Sequence, residues 1–253
     1  MLEFSGETHP GCVYTHNEDA IGWSIPIQMW FVADGMGGHA SGELASSIVK
    51  ESILQNASDD DEVLKQAILT AHQAVAHSAC EDDTRHGMGS TIVMAHVQGR
   101  NCRVLWCGDS RAYLWRGNKL DRISRDHSLL EEMIESGELD RGQTHLHPQS
   151  NVLTQALGLN EPEPDEKDVQ LRSDDWILLC SDGLHDELTD QQIANVLRVS
   201  RSPNQATQLL IDAAIDEGAK DNVSVIVLRC PKFTVKSLVE RIANALGIPR
   251  NRF

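Results

Sequence analysis

Short apolar segments rich in β-branched and aromatic residues recur along this chain, and most of them follow one another without a helix between them. Glycine, aspartate and asparagine bound these segments, a pattern typical of strands joined by tight turns. Six segments predict strands, at residues 29–33, 91–97, 103–107, 112–116, 176–180 and 224–228. The tetrapeptide Arg116-Gly117-Asn118-Lys119 predicts a hairpin turn. Consecutive strands joined in this way pair antiparallel, so the sequence favours antiparallel sheets.

Four further segments have the apolar spacing of helices, and they come in two pairs. The first pair covers residues 42–55 and 62–79, and the second covers residues 189–199 and 204–215. Thr189 and Gln192 match a capping box at the start of the third helix. Because the helices come in pairs instead of alternating with strands, we expect an α+β layered fold with helices packed outside the sheets. The acidic segments 58–62 and 161–166 are expected to be solvated loops.

The charge balance narrows the class of partner. The chain has 253 residues, and its 22 basic and 38 acidic side chains give a net charge of −16. This balance argues against a nucleic-acid partner, because phosphate backbones are bound by clustered lysine and arginine. It does not argue against a phosphorylated substrate, since divalent cations supply positive charge inside an acidic site.

Targeting and redox features are also informative. Residues 1–10 lack a basic region followed by an apolar run, and no apolar stretch approaches the roughly 20 residues that span a bilayer. We therefore expect a cytoplasmic protein without a transmembrane segment.

The six cysteines form no C-x-x-C pair, so buried reduced thiols are expected instead of a zinc ribbon or a disulfide framework. They are Cys12, Cys80, Cys102, Cys107, Cys180 and Cys230.

Aspartates follow three of the predicted strands directly or after one small residue. These are Asp34, Asp109 and Asp182, and a fourth, Asp221, precedes the last strand. A single Asp-Gly pair is usually just a turn. Four carboxylates at strand ends favour a metal site, because a cation offsets their mutual repulsion. The absence of histidine or cysteine at ligand spacing favours a hard divalent cation with an oxygen shell.

Six ordered motifs then make the resemblance specific. They are Asn17-Glu18-Asp19, Asp34-Gly35-Met36-Gly37-Gly38-His39, Gly89-Ser90-Thr91, Gly108-Asp109-Ser110-Arg111-Ala112-Tyr113, Ser181-Asp182-Gly183-Leu184 and Asp221-Asn222-Val223-Ser224. In these motifs the chain resembles bacterial members of the PP2C (PPM) family of metal-dependent serine/threonine protein phosphatases, over residues 6–228. The resemblance implies two central antiparallel sheets between pairs of antiparallel helices. It also implies two ions of Mn²⁺ or Mg²⁺, with a third, weaker position.

The same resemblance implies roles for the acids around the first two ions. Asp34 would bridge both ions, and Asp182 and Asp221 would complete the protein ligands of the first. The carbonyl of Gly35 would bind the second ion, and Glu18 would act on it through water. A water that bridges the two ions would attack phosphorus in line, without a phosphoenzyme.

Three further acids have roles implied by the family. Asp19 would orient metal-bound water. Asp109 and Asp186, with Asp182, match the family's third metal position, although Asp186 also suits a loop or a helix cap.

The sequence departs from the family pattern at two places. Tyr14 stands where the family usually has an arginine that binds the substrate phosphate, and a tyrosine supplies neither its charge nor its bidentate fork. Three alternatives follow: phosphate affinity is weaker, or His16 or a third metal compensates, or Tyr14 is only an aromatic packing residue in an early strand. Met36 replaces the histidine that many eukaryotic relatives carry, so the general acid is left open; His39 is nearby in sequence. Residues 126–150 resemble the family's flap beside the cleft.

The predicted domain organisation is a phosphatase domain at residues 1–230 and a basic amphipathic tail at residues 231–253. The tail either packs on its own domain or docks to a partner or an acidic membrane surface. The expected function is dephosphorylation of phosphoserine and phosphothreonine in opposition to a bacterial serine/threonine kinase, by a monomer. The alternatives are a pseudophosphatase that binds phosphoprotein without turnover, and a hydrolase of small phosphate esters.

Overall fold

The computed structural model describes residues 2–38, 40–140, 149, 152–159 and 161–231. The strands of this part of the chain are β1 Glu3–His9, β2 Asp19–Ser24, β3 Met29–Met36, β4 Gly89–Ser90, β5 Ile92–Gln98, β6 Asn101–Cys107, β7 Arg111–Arg116, β8 Lys119–Arg122, β9 Asp165–Gln170, β10 Trp176–Cys180 and β11 Val223–Arg229. Its α-helices are α1 Ala40–Asn56, α2 Asp61–Glu81, α3 Leu129–Glu135, α4 Asp182–His185, α5 Asp190–Val199 and α6 Pro203–Asp216. A single 3₁₀ turn, Asp83–Arg85, follows α2.

The described strands form two antiparallel sheets. One sheet has the order β1-β11-β10-β7-β8, and the other has the order β2-β3-β5-β6-β9, with the short β4 paired to β3. In the sheet that contains β3, two of the four neighbouring pairs, β2–β3 and β5–β6, are hairpins. The five-stranded sheet brings together the two ends of the described chain, since β1 pairs with β11. The prediction of antiparallel sheets is confirmed.

The alternation of side chains along β3 shows why the sheets stack face to face. Trp30 and Val32 point into the apolar layer between the sheets, which also contains Ile177 of β10. Phe31, one residue out of step, points to the other face and packs with Val49 of α1. A third apolar layer joins the opposite face of the five-stranded sheet to α5 and α6. The result is four layers, with helices outside both sheets, as the family resemblance implies.

The local sequence signals mostly hold. All six predicted strands and all four predicted helices are present, with bounds displaced by up to three residues. Thr189 and Gln192 form both hydrogen bonds of a capping box at the start of α5. The β7–β8 hairpin turns through Gly117 and Asn118, with φ of 58° and 68°, values that suit glycine and asparagine. Cys102, Cys107, Cys180 and Cys230 are buried free thiols, whereas Cys12 and Cys80 are exposed.

Both predictions of plain solvated loops are wrong in part. Residues Asp165–Gln170 form the edge strand β9, whose polar, largely exposed side chains give no apolar signal. In the other segment, Asp60 caps α2 by accepting a hydrogen bond from the backbone of Glu62. Asp61 begins that helix and lies 2.8 Å from Nδ1 of the buried His96. The charges in these segments therefore close the six-stranded sheet and start α2.

Some predictions fall on residues outside the described ranges. They concern His39, the part of the flap at residues 141–148 and 150, and the tail after residue 231. Within the described part of the chain, none of the helices combines the length and the apolar character needed to cross a bilayer.

Candidate metal centre

The pairing of β2 with β3 brings the first acids together. Asp19 at the start of β2 is the cross-strand partner of Asp34, which lies near the end of β3. The backbone N–H of Gly35 donates to the carbonyl of Glu18 at 3.0 Å. Four residues of the predicted site, Glu18, Asp19, Asp34 and Gly35, therefore lie at one corner of the sheet, at a position fixed by backbone register.

The five-stranded sheet, which contains β10 and β11, brings its acids to the same end of the sandwich. Ser181 follows β10, and its hydroxyl donates to the carboxylate of Asp19 across the two sheets at 2.7 Å. The same hydroxyl accepts the backbone N–H of Ser224 in β11 at 3.0 Å. Asp182 comes next in the chain, at the first position of α4. Ser181 therefore fixes the relative position of Asp19 and Asp182.

Asn222 fixes the loop between β1 and β2. Its side-chain oxygen accepts the backbone N–H of Glu18 at 2.7 Å. Its amide nitrogen donates to the carbonyls of Pro10 and His16 at 2.9 and 3.0 Å. The backbone N–H of Asn222 itself donates to the carboxylate of Asp221 at 2.7 Å. One side chain therefore couples the position of Asp221 to that of Glu18.

A close approach at the start of α1 places the Glu18 carboxylate beside the Gly35 carbonyl. A methyl group on Gly42 would collide with the Glu18 carboxylate and would lie 2.9 Å from the Gly35 oxygen. A methyl group on Gly35 would collide with the Gly42 carbonyl. Only glycine fits at these two positions. The two oxygen donors that the resemblance assigns to one ion are thereby neighbours.

The Asp109 side of the centre is tied to Asp34 through Thr91 and Ser110. The backbone N–H of Asp34 donates to the Thr91 hydroxyl at 3.1 Å, and this hydroxyl lies 2.7 Å from that of Ser110. Ser110 directly follows Asp109 in the turn between β6 and β7. A ring nitrogen of His185 lies 3.2 Å from the carbonyl of Asp109. The acids of the two sheets are thus linked by a short chain of hydroxyls.

The electrostatics of this cluster are those of acids without cations. Burial, together with the neighbouring charges of Asp182, Asp19, Asp109 and Asp221, raises the pKa of Asp34 well above its usual range. Burial and the charges of Asp109, Asp186, Asp221 and Asp19 raise the pKa of Asp182 likewise. Burial also raises the pKa of Asp19 and that of Asp109 to about 6. At neutral pH the cluster therefore repels itself.

The donor set fits hard divalent cations. Oδ1 of Asp19 is buried and has no hydrogen-bond partner among the described residues. The described residues contain no ready-made group of three His, Cys, Asp or Glu side chains around a single point. Ions at this centre would therefore also draw on backbone carbonyls and water, which Mg²⁺ and Mn²⁺ commonly do.

Two of the predicted ligands are more peripheral. Asp221 is exposed, on the loop before β11. The Asp186 side chain is 60% exposed, and its backbone N–H closes the single turn of α4 by donating to the Asp182 carbonyl at 2.9 Å. Asp186 lies near enough to Asp182 to raise its pKa. Both predicted residues thus border the cluster instead of lying within it.

A cleft of about 980 Å³ opens beside the cluster, with Asp109, Asp182, Asp186 and Asp221 in its wall. Tyr14 also lines this cleft. It is 42% exposed in the loop after β1, so it is not a packed residue of a strand. His16, the other residue predicted to contact phosphate, has an exposed side chain in the same loop.

An ion-pair network in the wall of the cleft has no signal in the sequence. Arg111 donates to Asp126 through two nitrogens, with the shortest contact at 2.6 Å. Arg122 bridges Asp126 at 3.2 Å and Glu131 of α3 at 3.0 Å. The partners come from two strands, a loop and a helix, so no spacing rule connects them. Ser181 and Asn222 belong to two of the family motifs, but the sequence does not indicate which acids they position; the folded structure does.

The fold and the carboxylate cluster define a class, the metal-dependent phosphatases built on two stacked antiparallel sheets. The family model for protein phosphatase 2C matches residues 13–215. The chain belongs to the PP2C family of serine/threonine protein phosphatases.

Curated relatives agree with this assignment. The serine/threonine protein phosphatase PstP of Mycobacterium tuberculosis is 32% identical over 234 residues, which cover 90% of this chain and 45% of PstP. The chain thus spans less than half of that relative. The serine/threonine phosphatase Stp of Listeria welshimeri is 31% identical over 236 residues, covering 87% of this chain and 93% of Stp.

Solved structures agree as well. The catalytic domain of PstP, solved in complex with two manganese ions, is 29% identical and matches 90% of this chain and 97% of its own with a TM-score of 0.82. The resemblance in fold is therefore to a protein whose structure holds two divalent cations.

Proposed function

We propose that this protein is a metal-dependent phosphatase that hydrolyses phosphoserine and phosphothreonine in proteins. The observation that carries the proposal is the self-repelling group of Asp19, Asp34, Asp109 and Asp182 at one end of the sheets, beside an open cleft. Carboxylates grouped this closely in a partly buried site are costly unless positive charge balances them, and a bound cation removes that cost. Membership of a phosphatase family supports the same chemistry.

In this proposal Asp34, Asp182 and Asp221 hold two divalent cations, Mn²⁺ or Mg²⁺, together with the Gly35 carbonyl and, through water, Glu18. When bound, the ions supply a water of lowered pKa and positive charge for the phosphoryl oxygens. Asp109 and Asp186, with Asp182, offer a third, weaker position.

The chain's own residues then orient the reaction. Ser181 holds one oxygen of Asp19, which leaves Oδ1 to accept a proton or a water hydrogen at the centre. The side chain of Asn222 keeps Glu18 in place by accepting a hydrogen bond from the backbone N–H of Glu18. Tyr14 lies in the cleft wall, where its hydroxyl offers a hydrogen bond to the substrate in place of the usual arginine.

The proposal includes an opposing serine/threonine kinase, phosphoprotein substrates and a cytoplasmic location, which suit the bacterial phosphatases to which this chain is similar. Nothing in these comparisons favours a pseudophosphatase, since the relatives are named as phosphatases.

The test is phosphate release from a phosphothreonine peptide, measured with Mn²⁺, with Mg²⁺ and with EDTA, for wild type, Asp182→Asn and Asp212→Asn. Asp212 is an exposed acid of α6, so its variant controls for the charge change alone. We expect turnover that EDTA and Asp182→Asn both abolish and that Asp212→Asn preserves. No turnover by folded wild type with either metal would overturn the proposal. If the protein hydrolysed small phosphate esters rapidly but did not hydrolyse the phosphopeptide, the proposed substrate would change from phosphoproteins to small phosphate esters.

A further inference from the structure

A second pocket lies at the opposite end of the five-stranded sheet from the acids. Its volume is about 560 Å³, and it is lined where β7 ends, where β10 begins and where β11 ends. The five residues of β10 separate it from the Asp182 end by roughly 15 Å. The pocket is therefore a separate place on the molecule.

Five arginines surround this pocket, on a chain whose net charge is −16. They are Arg116, Arg172, Arg198, Arg201 and Arg229. The acids in the same lining are Asp174 and Asp175, and the carboxylate of Glu3 lies 3.8 Å from Arg229, which leaves a local charge of +2. Such a concentration of positive charge on an acidic protein produces a local positive potential that attracts anions.

Two of the arginines are fixed by structure. Arg116 donates to the buried carboxylate of Asp175 through two nitrogens, and Arg229 donates to Asp174 at 2.7 Å. The Arg229 guanidinium also lies over the ring of Trp176, 5.1 Å from its centre. These contacts build a rigid floor, and they use up both aspartates.

The other arginines project from the rim. Among the described residues, the guanidinium groups of Arg172 and Arg201 make no ion pair or hydrogen bond, and both residues are exposed. Arg198 donates to the neutral amide of Asn195. No acid among the described residues therefore pairs with these three side chains. Two guanidinium groups offer the paired N–H donors that match the oxygens of a phosphate.

We propose that this arginine pocket binds a phosphate monoester, separately from the metal centre. The pocket is too large for inorganic phosphate alone and falls in the range of small-ligand sites, so the phosphate would carry an organic group. That group is either a phosphorylated side chain of a protein or a free phosphorylated metabolite. Because the arginine pocket holds none of the clustered acids, a phosphate bound there is retained and not hydrolysed. The inference holds whether or not the metal centre is catalytic.

The experiment is calorimetric titration of the full-length protein in EDTA, which removes divalent cations from the metal centre. The probes are inorganic phosphate, phosphoserine as a small monoester, and a phosphothreonine peptide with its unphosphorylated form. The variants are R172Q/R201Q, which removes two rim charges, and K50Q/R85Q, which removes two charges from the helical layer on the six-stranded sheet. R172K/R201K keeps the charges but loses the bidentate geometry.

We expect wild type and K50Q/R85Q to bind a phosphorylated probe alike, and R172Q/R201Q to bind it at least tenfold more weakly. The lysine variant is expected to fall between them. Tighter binding of the peptide than of phosphoserine identifies a phosphoprotein source, and equal binding identifies a small monoester. Equal affinity of wild type and R172Q/R201Q, or no binding by wild type in EDTA, would overturn the proposal. Manganese-dependent turnover is measured separately, and R172Q/R201Q is expected to stay within about twofold of wild type. Failure of the proposed function would abolish turnover in both proteins without changing phosphate binding in EDTA.

Discussion

The two ends of the five-stranded sheet carry the same kind of side chain in opposite settings. At one end, Asp182 faces other carboxylates, which contribute to raising its pKa. At the other end, Asp175 is more fully buried than Asp182, yet it accepts from the guanidinium of Arg116 and from the backbone of Arg172. An aspartate paired in this way stabilises the fold, whereas an aspartate surrounded by acids destabilises it until a cation arrives. The comparison separates a carboxylate that is paired within the protein from one that lies among other carboxylates.

The largest effect that tests this comparison is expected from Asp34→Asn. The amide keeps the shape of the side chain but removes the charge at the centre of the cluster. We expect turnover to fall by about 10³-fold or more, because in the proposed function this carboxylate would hold the cations that stabilise the reacting phosphate. In EDTA, the same variant is expected to melt at a higher temperature than wild type, since a repulsive charge is gone.

The contrast requires both results, the loss of turnover and the higher melting temperature in EDTA. A matched control is Asp59→Asn, at an exposed acid of the loop before α2, which is expected to change neither turnover nor melting. If Asp34→Asn lost activity but also melted lower in EDTA, the cluster would not be a site of repulsion and the contrast between the two ends would fail.

Asp175→Ala should act in the opposite direction. It leaves Arg116 without its partner and removes the acceptor for the Arg172 backbone. Breaking such a buried pair is expected to lower the free energy of unfolding by about 3–4 kcal/mol. Urea denaturation measures this change. Turnover per folded molecule is expected to stay near that of wild type, because the site of substitution is at the far end of the sheet.

Neutralising both members of the ion pair gives the control. A variant in which Asp175→Asn is combined with Arg116→Gln removes both charges and keeps a hydrogen bond, so most of the stability should return. If the double variant were as unstable as Asp175→Ala, packing and not the ion pair would explain the loss.

The two ends of the sheet also differ in how much of their structure the sequence predicts. The places of Asp34 and Asp182 in the cluster were predictable because each comes at the end of a continuous apolar run, residues 29–33 and 176–180. The strand β9 was missed because an exposed edge strand has polar side chains on both faces. Asp175 and Arg116 lie 59 positions apart, and only the pairing of β7 with β10 makes them neighbours.

Stability in EDTA is expected to depend on pH in a direction set by the acid cluster. The pKa of Asp19 is raised from 3.8 to about 6 in the folded protein, mainly by burial, so the folded state binds the proton more tightly than the unfolded state. Stability is therefore greatest below about pH 4 for this group and is lost as the pH rises to about 6. For Asp19 alone the loss is on the order of 3 kcal/mol.

Asp126 provides the contrast in the same cleft. Burial opposes its ionisation, but the hydrogen bonds and charge of Arg111 outweigh burial and lower its pKa. Its contribution is present above about pH 4 and lost as the pH falls further. Thermal melting in EDTA from pH 3 to pH 8 is thus expected to show a fall between pH 4 and pH 6, which saturating Mn²⁺ removes. A melting temperature that rose steadily through that interval would show that the clustered acids are not destabilising.

The smallest expected effect is a gain, from Tyr14→Arg. This residue lines the cleft on the acidic end, where Arg111 and Arg122 are already paired with Asp126. An arginine at position 14 supplies an uncommitted cation and a bidentate fork for the substrate phosphate. We expect KM for a phosphothreonine peptide to fall about 3- to 10-fold with little change in kcat, as one charge-assisted contact would give. Tyr14→Lys isolates the charge from the fork, and Tyr14→Phe tests whether the present hydroxyl contributes. If KM were the same in Tyr14→Arg and in wild type, the substrate phosphate would lie away from this wall, and the acidic end would draw its positive charge from bound cations alone.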